Sequence, residues 1–119
     1  MNKKNIEKGH LGEDLVAEKL QKNGYKILHR NYYALGKEID IIASKNNIVY
    51  FVEVKSRFDK TCKKSFTPSD NITYHKRNQI AKAAQYWFVQ QGKEFESSFM
   101  IAEVNLFTND VTLFEDFLV

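Results

Sequence analysis

The chain has 119 residues, 43% of them hydrophobic and 28% charged, with a formal net charge of +3. This balance predicts one globular domain over residues 1–119 and excludes a fibrous or low-complexity chain. A single cysteine, Cys62, excludes a disulfide framework and a thiolate zinc site, and no run has the length of a membrane span or the apolar stretch of a signal peptide, so a cytoplasmic protein without a membrane partner is expected.

Residues 5–23 read as a helix. Asn5 is the expected N-cap and Asn23-Gly24 the stop. Gly9, Glu13, Val16, Ala17 and Leu20 fall on one stripe at 3.6-residue spacing, flanked by Leu11 and Leu15. Gly9 and Gly12 each cost the helix about 1 kcal/mol relative to alanine. Glycines inside a helix point to close approach by a neighbour or by a bound phosphate. Glu13 is a carboxylate on a small, apolar face. It either reaches a cluster of other acidic groups or pairs with a lysine at the boundary.

Tyr25 to Tyr33 reads as a first strand, with His29 at a surface or edge. His10 and His75 are also read as non-ligands, because no two histidines have a shared-site spacing.

Two further strands follow, Gly36 to Ile42 and Ile48 to Lys55, with Asn46-Asn47 between them. Asparagine tolerates the positive φ of a two-residue hairpin turn. With that turn, Asp40 faces Glu53 and Glu38 faces Lys55. Opposed carboxylates with Cβ atoms roughly 5 Å apart repel unless a cation sits between them. Oxygen ligands of this kind suit Mg²⁺ or Mn²⁺. Lys55 lies two residues after Glu53 and so shares its face. An ammonium beside a metal can position a water and stabilise a phosphoryl oxyanion. The alternative is a solvated hairpin face with a Glu38–Lys55 pair. The apolar run Ile48 to Val52 weighs against it, because it reads as a central strand covered on both faces.

Arg57 to Asn71 reads as a long basic loop, ending in Pro68-Ser69-Asp70-Asn71. From Lys55 to Lys82 eight Lys or Arg stand against two Asp, a local net charge of +6, while the rest of the chain carries −3. Such a segment attracts polyanions, nucleic acid first among them. Arg57, Lys60, Lys63, Lys64, Lys76 and Arg77 are its candidate nucleic-acid contacts. The alternative is a solvated loop kept soluble by its lysines.

Thr73 to Gln91 reads as a second helix closed by Gly92, with Ile80, Ala83, Ala84, Trp87 and Phe88 buried. Lys76 extends that stripe into the first turn. A lysine there opposes the helix dipole, and a phosphate at the helix N-terminus would make it favourable. Ser98 to Phe107 and Val111 to Phe117 read as two final strands with a turn at Asn109-Asp110.

The set Gly9-x-x-Gly12-Glu13-x-x-x-Ala17, Gly24-Tyr25, Arg30-Asn31, Gly36-x-Glu38-Ile39-Asp40, Phe51-Val52-Glu53-Val54-Lys55-x-Arg57 and Lys76 ahead of Ala84 resembles the PD-(D/E)xK nuclease superfamily. More closely, it resembles the YraN family of small bacterial proteins. The resemblance implies an α/β restriction-endonuclease-like αβββαβ core, a mixed central sheet flanked by helices. It implies a divalent-metal phosphodiesterase acting on DNA, similar to Holliday-junction resolvases and suited to branched or damaged substrates. Glu13 would stand near the metal. Asp40 and Glu53 would be ligands, with Val54 giving a backbone carbonyl; Lys55 would position water and Lys76 would touch phosphate. Lys37 stands where relatives often have a glycine. Ser98-Phe99-Met100 lacks the arginine and aspartate common in relatives, which points to a weak or altered site. The competing expectation is an inactive nuclease-like module that binds nucleic acid as an adaptor; an RNA-directed nuclease is a third. A chain this small covers little duplex, so two-strand cutting suggests a homodimer, though no stripe in the sequence specifies one.

Overall fold

The computed structural model describes residues 3–61 and 74–116, with side chains over 10–61 and 74–115. Cys62, Lys63, Lys64 and the Pro68–Asn71 stretch lie outside the described residues. The chain runs α1 (Lys3–Lys22), β1 (Lys26–Ala34), β2 (Lys37–Lys45), β3 (Ile48–Arg57), α2 (Tyr74–Gln91), β4 (Glu96–Asn105) and β5 (Asp110–Asp116). This is an α/β fold with one five-stranded mixed sheet in the order β1-β2-β3-β4-β5. Only β3 and β4 pair in parallel, and α2 is in the connection between them.

Helix α1 already includes Asn5, so Asn5 is not its N-cap. The C-terminal stop is as expected. Tyr25 N–H donates to Leu20 O at 3.0 Å and Gly24 N–H to Gln21 O at 3.1 Å, with Gly24 at φ 90°. That pair of bonds closes the helix through a left-handed residue that glycine adopts without strain. Val16, Ala17 and Leu20 are buried on its inner face, while Leu11 is exposed.

The apolar run of β3 is covered on both sides. Val49 and Phe51 pack with α2 residues Ile80, Ala83, Ala84, Trp87 and Phe88. Tyr50 and Val52 pack with Val16, Ala17 and Leu20 of α1. Two cores thus sandwich one sheet, and the strand with the longest apolar run takes its centre. Gly12 lets α1 come close: a Cβ built there would meet Ser56 Oγ at 2.0 Å and Ser56 Cβ at 3.2 Å. Close approach to a neighbour accounts for this glycine.

Candidate functional site

Asn46 and Asn47 hold the β2–β3 hairpin at φ 53° and 65°. The register follows the expected one from Lys45↔Ile48 to Ile41↔Val52, and there the ladder ends. Asp40 and Glu53 would be the next pair, and Glu38 and Lys55 the one after, but neither pair forms. In place of a backbone rung, Val54 N–H donates to Asp40 Oδ2 at 2.8 Å. The strands part at the acidic residues, where two directly opposed carboxylates would repel in a closed ladder. Glu38 pairs across to Tyr33 on β1.

The parting of β2 and β3 opens a cleft of about 230 Å³, lined among others by Glu38, Asp40, Glu53, Lys76 and Gln79. Asp40 sits between two groups. On one side, ligand oxygens of Glu13, Glu38 and Asp40 lie within 4.8 Å of one another. On the other, Glu53, one of the few buried charges, meets Lys76 Nζ at 2.5 Å and Lys55 Nζ at 3.6 Å. Burial, and then the Glu53 charge, push the Asp40 carboxyl up to about 7. Burial also raises Glu13, against a hydrogen bond with Asn31. Burial lowers the Lys55 ammonium, with Glu53 opposing and Lys76 assisting. For Lys76 burial acts downward too, but its bond to Glu53 and that carboxylate's charge outweigh it and the net direction is up.

Among the described residues Glu13 is not paired with a lysine. Its Oε2 lies 3.8 Å from Arg30 Nη2, which in turn bonds Asp14 at 2.7 Å. That same Oε2 is buried without a hydrogen-bond partner among the described residues. Three neighbouring carboxylates, one with an unsatisfied buried oxygen, form a donor set that fits a hard divalent cation. Glu38 is absent from the ligands inferred from the sequence. Its signal was its two-residue spacing from Asp40, obscured by the expected pairing with Lys55.

The predicted nucleic-acid contacts are spread out. Lys60 is exposed and Arg77 half-buried. Arg57 pairs with Asp59 at 3.6 Å, and Lys76 is engaged with Glu53. Glu103 stands beside Lys55 in the parallel register; burial raises its carboxyl, against the Arg57 charge. His10, His29 and His75 are exposed, at the surface as expected. A larger cleft of about 640 Å³ lies at the other end of the sheet, lined in part by Leu28, His29, Trp87 and Phe95. It contains none of the inward carboxylates. No helix is long and apolar enough to cross a membrane among the described residues.

The model of the uncharacterised protein family UPF0102 matches residues 12–106, a span that holds every site residue above. A UPF0102 protein of Clostridium perfringens (strain SM101) is 40% identical over 106 residues, covering 88% of this chain and 84% of its own. One of Caldanaerobacter subterraneus subsp. tengcongensis is 39% identical over 114 residues, covering 95% and 89%. One of Wolinella succinogenes is 46% identical over 84 residues, covering 71% and 72%.

Proposed function

The chain belongs to the uncharacterised family UPF0102, and from that premise we propose that it is a divalent-cation-dependent DNA endonuclease with a restriction-endonuclease-like core. The element order α1, β1 to β3, α2, β4 supports that core. One observation carries the reading: Asp40, Glu53 and Lys76 line one cleft with Lys55 paired to Glu53 behind it, and Glu13 and Glu38 complete the acidic side. Mg²⁺ or Mn²⁺ held at Asp40, with Glu13, Glu38, Glu53 and the Val54 carbonyl within its surroundings, would supply Lewis-acid activation of water and phosphate.

The chain's own residues do the rest. Lys55, its ammonium eased toward release of a proton by burial, orients the attacking water. Lys76 leaves Glu53 to bind a phosphate oxygen at the N-terminal turn of α2, where helix N–H groups favour an anion. Arg57, Lys60, Lys63, Lys64 and Arg77 hold the flanking backbone. Branched or damaged DNA in the cytoplasm is the substrate class. One copy suffices for a nick, and cutting both strands of a duplex calls on a second.

One observation favours a second reading, an adaptor without turnover. Lys76 already neutralises Glu53, so the cleft has a counter-charge with no cation. The two readings separate in one experiment. The protein is incubated with Mn²⁺, then Mg²⁺, and labelled linear, single-stranded and four-way-junction DNA, beside Glu53→Ala and Lys55→Ala. Cleavage by the wild type, lost in both variants, supports the endonuclease. Binding without cleavage, equal in all three proteins, supports the adaptor.

A further inference from the structure

Two phenylalanines stand half in solvent just past the candidate site. Phe58 follows the last residue of β3, and Phe107 follows β4 by two; they are 54% and 50% exposed. Their rings meet edge to face, with centroids 5.3 Å apart and planes at 72°. Neither belongs to the two cores. An edge-to-face pair leaves ring faces uncovered.

The pair is held firmly. Asn105 Oδ1 accepts from Asp59 N–H at 3.2 Å and Phe107 N–H at 3.0 Å, and its Nδ2 donates to Asp59 O at 3.1 Å. Leu106 N–H donates to Arg57 O at 2.7 Å. One side chain thus ties the backbone beside Phe58 to that of Phe107. A polar clamp thus holds two apolar rings half in water, outside both cores.

We propose that Phe58 and Phe107 form a stacking platform for an unpaired base of the nucleic-acid substrate. This rests on the nucleic-acid reading above and narrows it to substrates with single-stranded character. Phe58 lies three residues beyond Lys55, about 10 Å along the chain at strand spacing. That is within a few nucleotides of the reacting phosphate that the reading above sets beside Lys55 and Lys76, at a rise of about 3.4 Å each. Lys55, Arg57 and Lys60 against Glu53 and Asp59 leave residues 53–60 with a net charge of +1, the sign a phosphate backbone needs. Aromatic faces interleaved with cations are how unpaired bases are held without sequence preference. The pair is also too small to seat a second copy of the chain. Two half-exposed rings offer roughly 200 Å², against about 800 Å² per partner in a stable interface.

The test uses the full chain in EDTA, with a 2-aminopurine-labelled single strand and the same sequence as a blunt duplex. Phe58→Leu and Phe107→Leu keep apolar bulk and remove the π face; urea midpoints confirm that both fold. The wild type is expected to bind the single strand more tightly and to quench the probe. Each variant should weaken that binding about tenfold, lose the quenching and keep the duplex affinity and salt dependence. Variants that bind the single strand like the wild type, or that lose both forms equally, overturn the platform. So does a monomer–dimer shift in sedimentation, which would make this a self-association surface. Single-strand preference that depends on both rings, in a protein that cuts nothing with Mn²⁺, supports the platform while overturning the endonuclease reading.

Discussion

Lys76 Nζ lies 2.5 Å from Glu53 Oε1 and ties the first turn of α2 to the central strand. Glu53 is 8% exposed, in a central strand covered on both faces. Lys76→Met would leave that carboxylate with Lys55 alone, at 3.6 Å. The side chain of Lys76 is 40% exposed, so solvent screens the pair. A loss of about 1 kcal/mol is expected in urea denaturation, part of it restored by Lys76→Gln, which keeps a donor. An unchanged midpoint would mean that the pair contributes nothing to folding.

Asp40 makes stability depend on pH. Its carboxyl rises from 3.8 to about 7 on folding. Below about 4 both states hold the proton; between 4 and 7 only the folded state does. Stability therefore falls as pH rises through that window and levels off above it, by at most about 4 kcal/mol. Asp40→Asn keeps an acceptor for Val54 N–H and cannot ionise. Its stability between pH 4 and 7 should be flatter than that of the wild type, and higher at pH 7. Parallel curves for the two proteins would assign the pH dependence to other groups.

Mn²⁺ bound at Asp40 must displace the same proton. Titration followed by electron paramagnetic resonance should show apparent affinity rising with pH up to about 7. In Asp40→Asn the affinity should be weak and its rise with pH shallower. Equal binding by the two proteins would remove Asp40 from any cation site.

Gly12→Ala sets two effects against each other. Alanine gains about 1 kcal/mol of helix propensity. Its Cβ also meets Ser56 Oγ at 2.0 Å and Ser56 Cβ at 3.2 Å. The hydroxyl can rotate away, but the Cβ contact pushes α1 off β3, and overpacking typically costs about 1–3 kcal/mol. A net loss near 1 kcal/mol is expected by thermal unfolding. Ser56→Ala should recover part of it in the double variant, and additive effects would show that the two sites do not touch.

Much was legible because it is local. Asn23-Gly24, Asn46-Asn47 and Gly92 mark turns by the φ they tolerate, and each turn is where the chain stops or reverses. The buried stripe Ile80, Ala83, Ala84, Trp87 and Phe88 follows from helical period, and all five residues are buried. The run Ile48 to Val52 placed β3 at the centre because a strand apolar on both sides must be covered on both. Hairpin register follows from turn length, so Asp40, Glu53 and Lys55 could be brought to one place from the sequence alone.

Tertiary structure decided how those residues meet. Period-2 spacing continues a ladder indefinitely, whereas the pairing stops after Ile41↔Val52, at the two carboxylates Asp40 and Glu53. Packing α1 through Gly12 against Ser56 brought Glu13 to Glu38 and Asp40, and packing α2 brought Lys76 to Glu53. Side chains on different elements acquire a distance only when the cores close. The sequence thus determined which residues carry the charge of this site; the packing of two helices on one sheet determined which of them face each other.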